Sequence, residues 1–501
     1  MNSVDRLLNK LTMYRLVVYV LAAYAGLGLV FAFMGRLSAS PTQLVTSLLL
    51  LITSAYVTDR AFGRLFRLPT NMESALITAL ILFLIVQPAR DTMGLVALLL
   101  AGALSSASKF LVTWNGKHVF NPAALAAGVL SLTGLQATTW WVGSSLFWPT
   151  TLVLGLLVVR KIRRVALWAT FVLVSVVLQL VQLLAQHQSF SADMKHALIA
   201  SPLIFLSTIM LTEPATMPPR RNLQLVFAAL VAVCYVFAWK LGPITLYPEV
   251  ALLVGNLFAF AVSPKLRVRL RLKEVQKISD KVYNYIFQPD RRFAFLPGQY
   301  MEWTLEGVPY DARGNRRTLT IASSPTEPEV HLGVKFHEPA SQFKAELEQL
   351  RPGDSIYASQ LAGNFTLKGS EKQKLVFIAG GIGITPFRSM VKYLTDREIA
   401  ADVVLLYSVS DPRDFAYLDE FRAARRAGVK TVLLVTNSSH RSPDYLTARL
   451  EADLLVKVVP DYAERTFFIS GSNDMVDGVS QLLGQIGVAR RRIKTDHFAG
   501  Y

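Results

Sequence analysis

Residues 377–387 (FIAGGIGITPF) set Gly380, Gly381 and Gly383 between an apolar run and a segment that opens with Thr385 and Pro386. Glycines let a backbone approach a pyrophosphate closely, and a helix N-terminus offers it free N–H groups. The same residues would also serve a tight strand–helix turn with no ligand. Residues 316–325 (RRTLTIASSP) carry Arg317 followed by the hydroxyls of Thr318, Thr320 and Ser323. A cation followed by hydroxyls on one strand could hold a flavin diphosphate and hydrogen-bond the ring; an exposed strand rich in Thr and Ser is the plainer reading. Residues 467–476 (FFISGSNDMV) repeat the strand-end glycine turn at Ser470 and Gly471. The last residues, TDHFAGY, include Phe498 and Tyr501, aromatics that pack or cover a flavin face.

Composition narrows the chemistry. There is one cysteine, Cys234, in 501 residues. That excludes a cysteine-ligated iron–sulfur cluster, an intramolecular disulfide and a cysteine zinc site. None of the seven histidines pair along one apolar segment, which argues against a bis-histidine haem. The net charge is +17, but the chain is split. Residues 1–262 hold 18 Lys+Arg and 7 Asp+Glu, and residues 263–501 hold 34 and 28. The second part has the charge density of a soluble protein and the first does not. Most of the excess positive charge lies in the apolar part, so it calls for a membrane and not for nucleic acid.

These residues need elements to position them. Ten apolar stretches read as helices near the ~20 residues needed to span a bilayer: 14–34, 41–58, 72–88, 92–112, 119–135, 145–160, 164–186, 197–213, 222–240 and 243–262. The first is too long, and lacks the small-residue cleavage pattern, to be a signal peptide. Loop cations divide 14 to 4 between alternate sides, which puts both termini in the cytoplasm of a multi-pass protein of the bacterial inner membrane. Glu249 falls in the tenth stretch, where a carboxylate is costly and often functional. Past residue 264, alternating runs such as LRVRLRLKEV, QYMEWTLE, EVHLGVKF and SIYASQL predict a small antiparallel β-barrel over 265–368. From 373 to 501 strands, glycine turns and helices alternate, as in a doubly wound parallel sheet. The expected fold is a multidomain chain: a polytopic α-helical membrane domain (1–262, about ten spans), a flavin-binding β-barrel (265–368) and an α/β nicotinamide-binding domain (373–501).

In this order, the motifs of residues 265–501 resemble the ferredoxin–NADP reductase superfamily. The resemblance implies FAD in the barrel and NADH or NADPH as substrate. It gives Arg317 the flavin phosphate, Thr320 the flavin's redox-active nitrogen and Ser341, in EPASQF, a second phosphate turn. It gives GGIGITP the nicotinamide cofactor, Ser470 the place of a family cysteine beside the nicotinamide, and Phe498 and Tyr501 the terminal aromatic cover. Leu319 stands where the family has a stacked tyrosine. For a 2′-phosphate, Ser438 and Arg441 are on offer, so NADH versus NADPH stays open.

FNPAAL (120–125) and MLTEPATMPPRRN (210–222) resemble stretches in the membrane flavoproteins of the Rnf complex (D subunit) and sodium-pumping NADH:quinone reductase (second subunit). There such stretches lie at flavin-binding helix ends, which implies FMN or riboflavin near Asn121 or Thr212. Those families also esterify FMN to a threonine in Ser-Gly-Ala-Thr. Here Ala137-Thr138 follows Leu135-Gln136, so the noncovalent flavin is the expectation, with Thr138 as the covalent alternative. The function expected is a membrane-bound NAD(P)H dehydrogenase passing electrons through FAD to a membrane flavin, then to a quinone or an extracytoplasmic flavoprotein. A haem-type ferric reductase, a redox-driven ion transporter and a merely anchored reductase are the alternatives.

Overall fold

The computed structural model describes residues 8, 11–66, 70–115, 117–185, 198–237, 240–241, 244–245, 247–306, 315–336, 340–437 and 442–498. The expected roles of Tyr501, Ser438 and Arg441 fall outside the described residues. The chain divides into a helical unit, residues 2–265, and a sheet-rich unit, residues 266–501.

Each of the ten apolar stretches contains a helix: α1 (Met13–Phe33), α2 (Pro41–Phe66), α3 (Met72–Ile85), α4 (Thr92–Leu111), α5 (Pro122–Thr133), α6 (Trp148–Lys161), α7 (Val165–Ala185), α8 (Leu203–Phe205, continued by a π-turn Leu206–Met210), α9 (Arg221–Phe237) and α10 (Pro248–Val262). Among the described residues four helices, α1, α2, α4 and α7, are long and apolar enough to cross a membrane. Two of the others are bounded by local chemistry. Helix α5 starts at Pro122, is capped by Asn121 and ends on Gly134 at φ +69°, so its 12 residues rise only about 18 Å. Pro248 likewise delays α10.

Small residues let these helices approach. A Cβ on Gly102 of α4 would lie 3.0 Å from the Leu51 carbonyl of α2. Beside it the Ser106 hydroxyl donates to the Ala55 carbonyl at 2.8 Å. Small residues at such crossings let two helix backbones pack closely.

In the sheet-rich unit, β1 (Arg267–Lys277), β2 (Val282–Pro289), β3 (Tyr300–Thr304), β4 (Arg316–Thr320), β5 (Val330–Lys335) and β6 (Ser355–Ala362) form an antiparallel sheet in the order β4-β3-β6-β1-β2-β5. Val268, Leu270 and Leu272 point inward with Phe287, Trp303 and Ile356, while Arg269 and Arg271 stay exposed. The N–H of Ala322, just past β4, donates to the His331 carbonyl of β5 and draws the two edges together. A short helix, α11 (Gln342–Glu348), packs Phe343 and Leu347 into this core.

The rest alternates as β7 (Lys374–Gly380), α12 (Thr385–Asp396), β8 (Asp402–Val409), α13 (Leu418–Ala423), β9 (Val429–Val435), β10 (Leu446–Thr447), α14 (Ala452–Val458), β11 (Thr466–Ser472), α15 (Asn473–Gln485) and β12 (Ile493–Phe498). All six strands are parallel, in the order β10-β9-β8-β7-β11-β12. Two apolar clusters cover its faces, one around Phe377, Phe387 and Tyr407, the other around Ile378, Ile469 and Leu483. The strand order reverses between β7 and β11, and ligands of open α/β sheets bind outside the carboxyl ends of strands at such a switch point.

Candidate active site

Both glycine turns lie at that switch point. Gly380 ends β7, and Gly471 lies near the end of β11. A Cβ on Gly471 would sit 3.3 Å from the Gly380 Cα and 3.0 Å from the Met475 sulfur. A Cβ on Gly383 would sit 2.4 Å from the Ser470 carbonyl oxygen and 2.7 Å from the Gly471 Cα. Only glycine permits this approach. Gly381 turns at φ +52°, with nothing within 4 Å of where its Cβ would be. After one 3₁₀ turn the chain enters α12, with Thr385 and Pro386 in its first turn. Proline loses nothing there, because the N–H it lacks would be unpaired anyway. The Thr385 hydroxyl donates to the Ile382 carbonyl at 3.1 Å and so braces the turn. The Ser470 side chain is fully buried, and its hydroxyl has no partner among the described residues. Phe498 pairs in register with Ser472 at the same carboxyl edge. A glycine turn too close to β11 to admit a methyl group, together with a buried hydroxyl that has no partner among the described residues, fits a dinucleotide.

The second group lies on β4. Thr320 is 5% exposed and its hydroxyl makes no hydrogen bond among the described residues. Thr318 is exposed on the same strand. The Arg317 guanidinium lies 5.2 Å from the centre of the Phe343 ring. Ser341 caps the helix that carries Phe343, its hydroxyl accepting from the Lys344 N–H. Arg317 and the Ser341 turn, 24 residues apart in sequence, are thus neighbours, as one diphosphate would need. Ser323 is fully buried, and its hydroxyl accepts from the His331 N–H at 3.0 Å. It joins β5 to the strand that carries Thr320. These residues fit a flavin: a cation for its phosphates and the hydroxyl of a buried residue, Thr320, for its ring.

One connection between the two groups was not foreseen in the sequence. Arg388 on α12 is 4% exposed. It forms a bidentate pair with Glu327 and donates to the Ala322 carbonyl at 3.3 Å. Beside it the Ser389 hydroxyl donates to the Ser323 carbonyl at 2.6 Å. The helix that opens at the nucleotide turn is therefore bound to the segment that continues the flavin strand. On β5, a Cβ at Gly333 would come within 2.5 Å of the Tyr417 hydroxyl and 2.7 Å of the Thr385 methyl. That Tyr417 hydroxyl donates to Asn284 at 3.2 Å. Burial, aided by the Arg388 charge, pushes His331 down to about 4.

The helical unit has its own site. Tyr14, Ser74, Lys109, Asn121, Thr212 and Glu213 are among the residues lining a cavity of about 100 Å³. Asn121 accepts from the Ala124 N–H at 2.9 Å, and its amide donates to Glu213 Oε2 at 2.7 Å. The Asn121 N–H donates to Asn256 of α10. Thr212 donates back to the Thr208 carbonyl at 2.7 Å and braces the helix end. Thr138 is elsewhere: its hydroxyl donates to Glu249 Oε1 at 2.8 Å, and the Trp140 indole donates to Oε2 at 2.9 Å. Glu249 is fully buried yet paired on both oxygens. The structure thus joins Asn121 and Thr212 in one cavity. Among the described residues no cluster of His, Cys, Asp and Glu could hold a metal ion.

A parallel α/β sheet with a glycine cradle at its switch point, beside an antiparallel barrel, defines a nucleotide-binding oxidoreductase module. Residues 377–481 match the family described as oxidoreductase NAD-binding domain. The chain is 30% identical to the NADH oxidoreductase HCR of Escherichia coli over 175 residues, 35% of this chain and 52% of that protein. It is 27% identical to the glycine betaine monooxygenase reductase subunit of Pseudomonas aeruginosa over 45% of this chain and 63% of that one. The chain spans between half and two thirds of the length of these curated relatives. Among solved structures, the cytochrome P450 reductase GcoB of Amycolatopsis aligns with a TM-score of 0.41 at 22% identity, over 47% of this chain and 71% of that one. The match to an NAD-binding domain of the oxidoreductase type thus falls on the residues that hold both glycine turns.

Proposed function

We propose that the protein is a membrane-bound NAD(P)H dehydrogenase of the bacterial inner membrane, with both termini cytoplasmic. Electrons pass from NAD(P)H through FAD to FMN or riboflavin in the helical unit, and on to a quinone or an extracytoplasmic flavoprotein. The observation that carries this reading is the glycine cradle of Gly380, Gly383 and Gly471 over the unpartnered Ser470 hydroxyl.

A bound flavin accepts two electrons as hydride and can release them singly; that chemistry is the cofactor's own. The chain's residues bind and orient. Gly380, Gly381 and Gly383 admit the pyrophosphate to the start of α12, with Thr385 and Pro386 shaping the turn. Arg317, Thr318 and Ser341 would hold the flavin phosphates, and Thr320 would hydrogen-bond the ring. Ser470 would serve the nicotinamide, and Phe498 on β12 would supply an aromatic cover. The resemblance of residues 120–125 and 210–222 to the Rnf and sodium-pumping reductase flavoproteins supports the membrane flavin, as does the cavity that joins Asn121 to Thr212. Thr138, already engaged by Glu249, is the weaker candidate for covalent attachment.

The test is purification with flavin counting. Two flavins per chain, both released by acid and both bleached by NAD(P)H, are expected; a chain with one flavin contradicts the two-flavin route. A second reading is a reductase that serves a separate oxygenase. It is favoured by the curated relative that is a monooxygenase reductase subunit, and full activity with a soluble protein acceptor after Asn121→Ala would select it.

A further inference from the structure

The cavity in the helical unit has an apolar wall, including Val17, Ile77 and Ile81, and a polar end, including Ser74, Lys109 and Glu213. Three features of the polar end bear on what it holds. First, at the α5 N-terminus Pro122 has no N–H and Asn121 accepts from the N–H groups of Ala124 and Leu125, so few remain for an anion. Second, the carboxyl group of Glu213 sits beside that cap. Its Oε2 accepts from the Asn121 amide at 2.7 Å and the Thr216 hydroxyl at 3.0 Å, while no hydrogen bond reaches Oε1 among the described residues. Third, the only cation with hydrogen bonds described in the cavity, Lys109, donates to the Ser74 carbonyl at 3.0 Å and hydroxyl at 3.2 Å. The buried carboxylate of Asp59 on α2 acts on that one ammonium. That ammonium is already engaged, so the polar end is a poor site for a phosphate. It suits an uncharged ring with hydrogen-bonding oxygens or nitrogens, its apolar part against the aliphatic wall.

We propose that this cavity holds the ring of a two-electron, two-proton acceptor, a quinone or an isoalloxazine, and that Glu213 is the catalytic acid that protonates it. The step rests on the electron route proposed above. The hydrogen-bond pattern suits the role: two donors on Oε2 make it the carbonyl-like oxygen, which leaves the acidic proton on Oε1. The overall reaction balances as NAD(P)H + H⁺ + ring → NAD(P)⁺ + dihydro-ring. Two electrons come from the nicotinamide, and the ring takes up two protons. Glu213 gives one per turnover by breaking its O–H bond as the ring's N–H or O–H bond forms, and water supplies the other. Lys109, with three donors and two of them described as bonded, lies in the same cavity to return a proton to Glu213 from cytoplasmic water. The other titratable groups lining the cavity are Tyr14 and His118.

The experiment uses the full chain in lipid nanodiscs. Ferricyanide, which takes electrons without protons, reports on the NAD(P)H–FAD half. A short-chain ubiquinone and the absorbance of the second flavin report on the cavity. Glu213→Gln keeps the size and the carbonyl acceptor. It should retain ferricyanide reduction within about twofold and wild-type flavin content, but reduce the cavity acceptor at least tenfold more slowly, with partial recovery in Glu213→Asp. In the wild type, deuterated water should slow the cavity step and leave ferricyanide reduction unaffected, a readout independent of how the variant folds. Wild-type cavity reduction in Glu213→Gln, or no solvent isotope effect, overturns the proposal. Loss of the bound ring from Glu213→Gln also overturns it, since Glu213 would then be a binding group. If the wild-type protein reduces ferricyanide but has neither a second flavin nor quinone activity, the electron route itself fails.

Discussion

Gly383→Ala isolates the demand that the nucleotide crevice places on the backbone. The added methyl would lie 2.4 Å from the Ser470 carbonyl oxygen, 2.6 Å from the Ser470 carbonyl carbon and 2.7 Å from the Gly471 Cα. All three are backbone atoms of β11, so no side chain can rotate away. Gly383 has no positive φ, so the penalty is purely steric. The crevice must open by several tenths of an ångström, which in a packed interior costs about 1–3 kcal/mol. Taken from nucleotide binding, that raises KM for NAD(P)H by about 5- to 150-fold, at 1.36 kcal/mol per tenfold. Two controls bracket it. At Gly381 a Cβ meets nothing within 4 Å but φ is +52°, so alanine there costs only about 1–2 kcal/mol of backbone strain. At Gly478, inside α15 with open space around it, alanine should stabilise by up to about 1 kcal/mol. The assay is steady-state ferricyanide reduction by the full chain, with thermal unfolding alongside. A Gly383→Ala protein with wild-type KM and melting temperature would refute the placement of the nucleotide at this turn.

Arg388→Met strands the Glu327 carboxylate that it pairs with; breaking a buried pair costs about 3–5 kcal/mol. The melting temperature should fall, and FAD should be bleached by NAD(P)H more slowly in stopped flow, because α12 loses its bond to the segment following Thr320. His331 titrates at about 4 in the fold against about 6.5 unfolded. The unfolded chain therefore binds the proton first as pH falls. This contribution is complete above about pH 6.5 and is lost toward pH 4, by up to about 3 kcal/mol. Thermal unfolding across that window should show the loss in the wild type and a flatter limb in His331→Gln. Thr320→Val removes the unpartnered hydroxyl of β4 and should slow NAD(P)H-driven FAD bleaching about tenfold with KM unchanged, a loss near 1.4 kcal/mol. Thr138→Ala should leave acid-released flavin content unchanged, and flavin that is protein-bound after acid treatment of the wild type would argue for the covalent link.

How much of this was legible depended on how local each signal was. The glycine turns, the hydroxyl strand and the alternation of β1 are local patterns, and each was found where it was expected. The strand β2 was not anticipated, because VYNYIFQP is buried along most of its length and does not alternate. Nor was β12, a short and polar edge strand. Hydropathy located the helices but overstated their length, since it averages across Pro122, Gly134 and Pro248, where the backbone stops. Arg388 escaped notice because its partner Glu327 is 61 residues away in sequence, and an arginine in a helix looks solvated. Glu213 looked like a plain helix end beside proline; only the fold brings Asn121, from 92 residues earlier, to its carboxyl group. Glu249 stood out as costly in an apolar stretch, but its partners Thr138 and Trp140 did not.

The most direct measurement is an anaerobic titration of the purified full chain with NADH and, separately, NADPH, recording how many reducing equivalents the bound flavins take up. Four electrons per chain, with two flavins bleached in succession, is the result the account predicts. Flavins that stay oxidised with both nucleotides would contradict it.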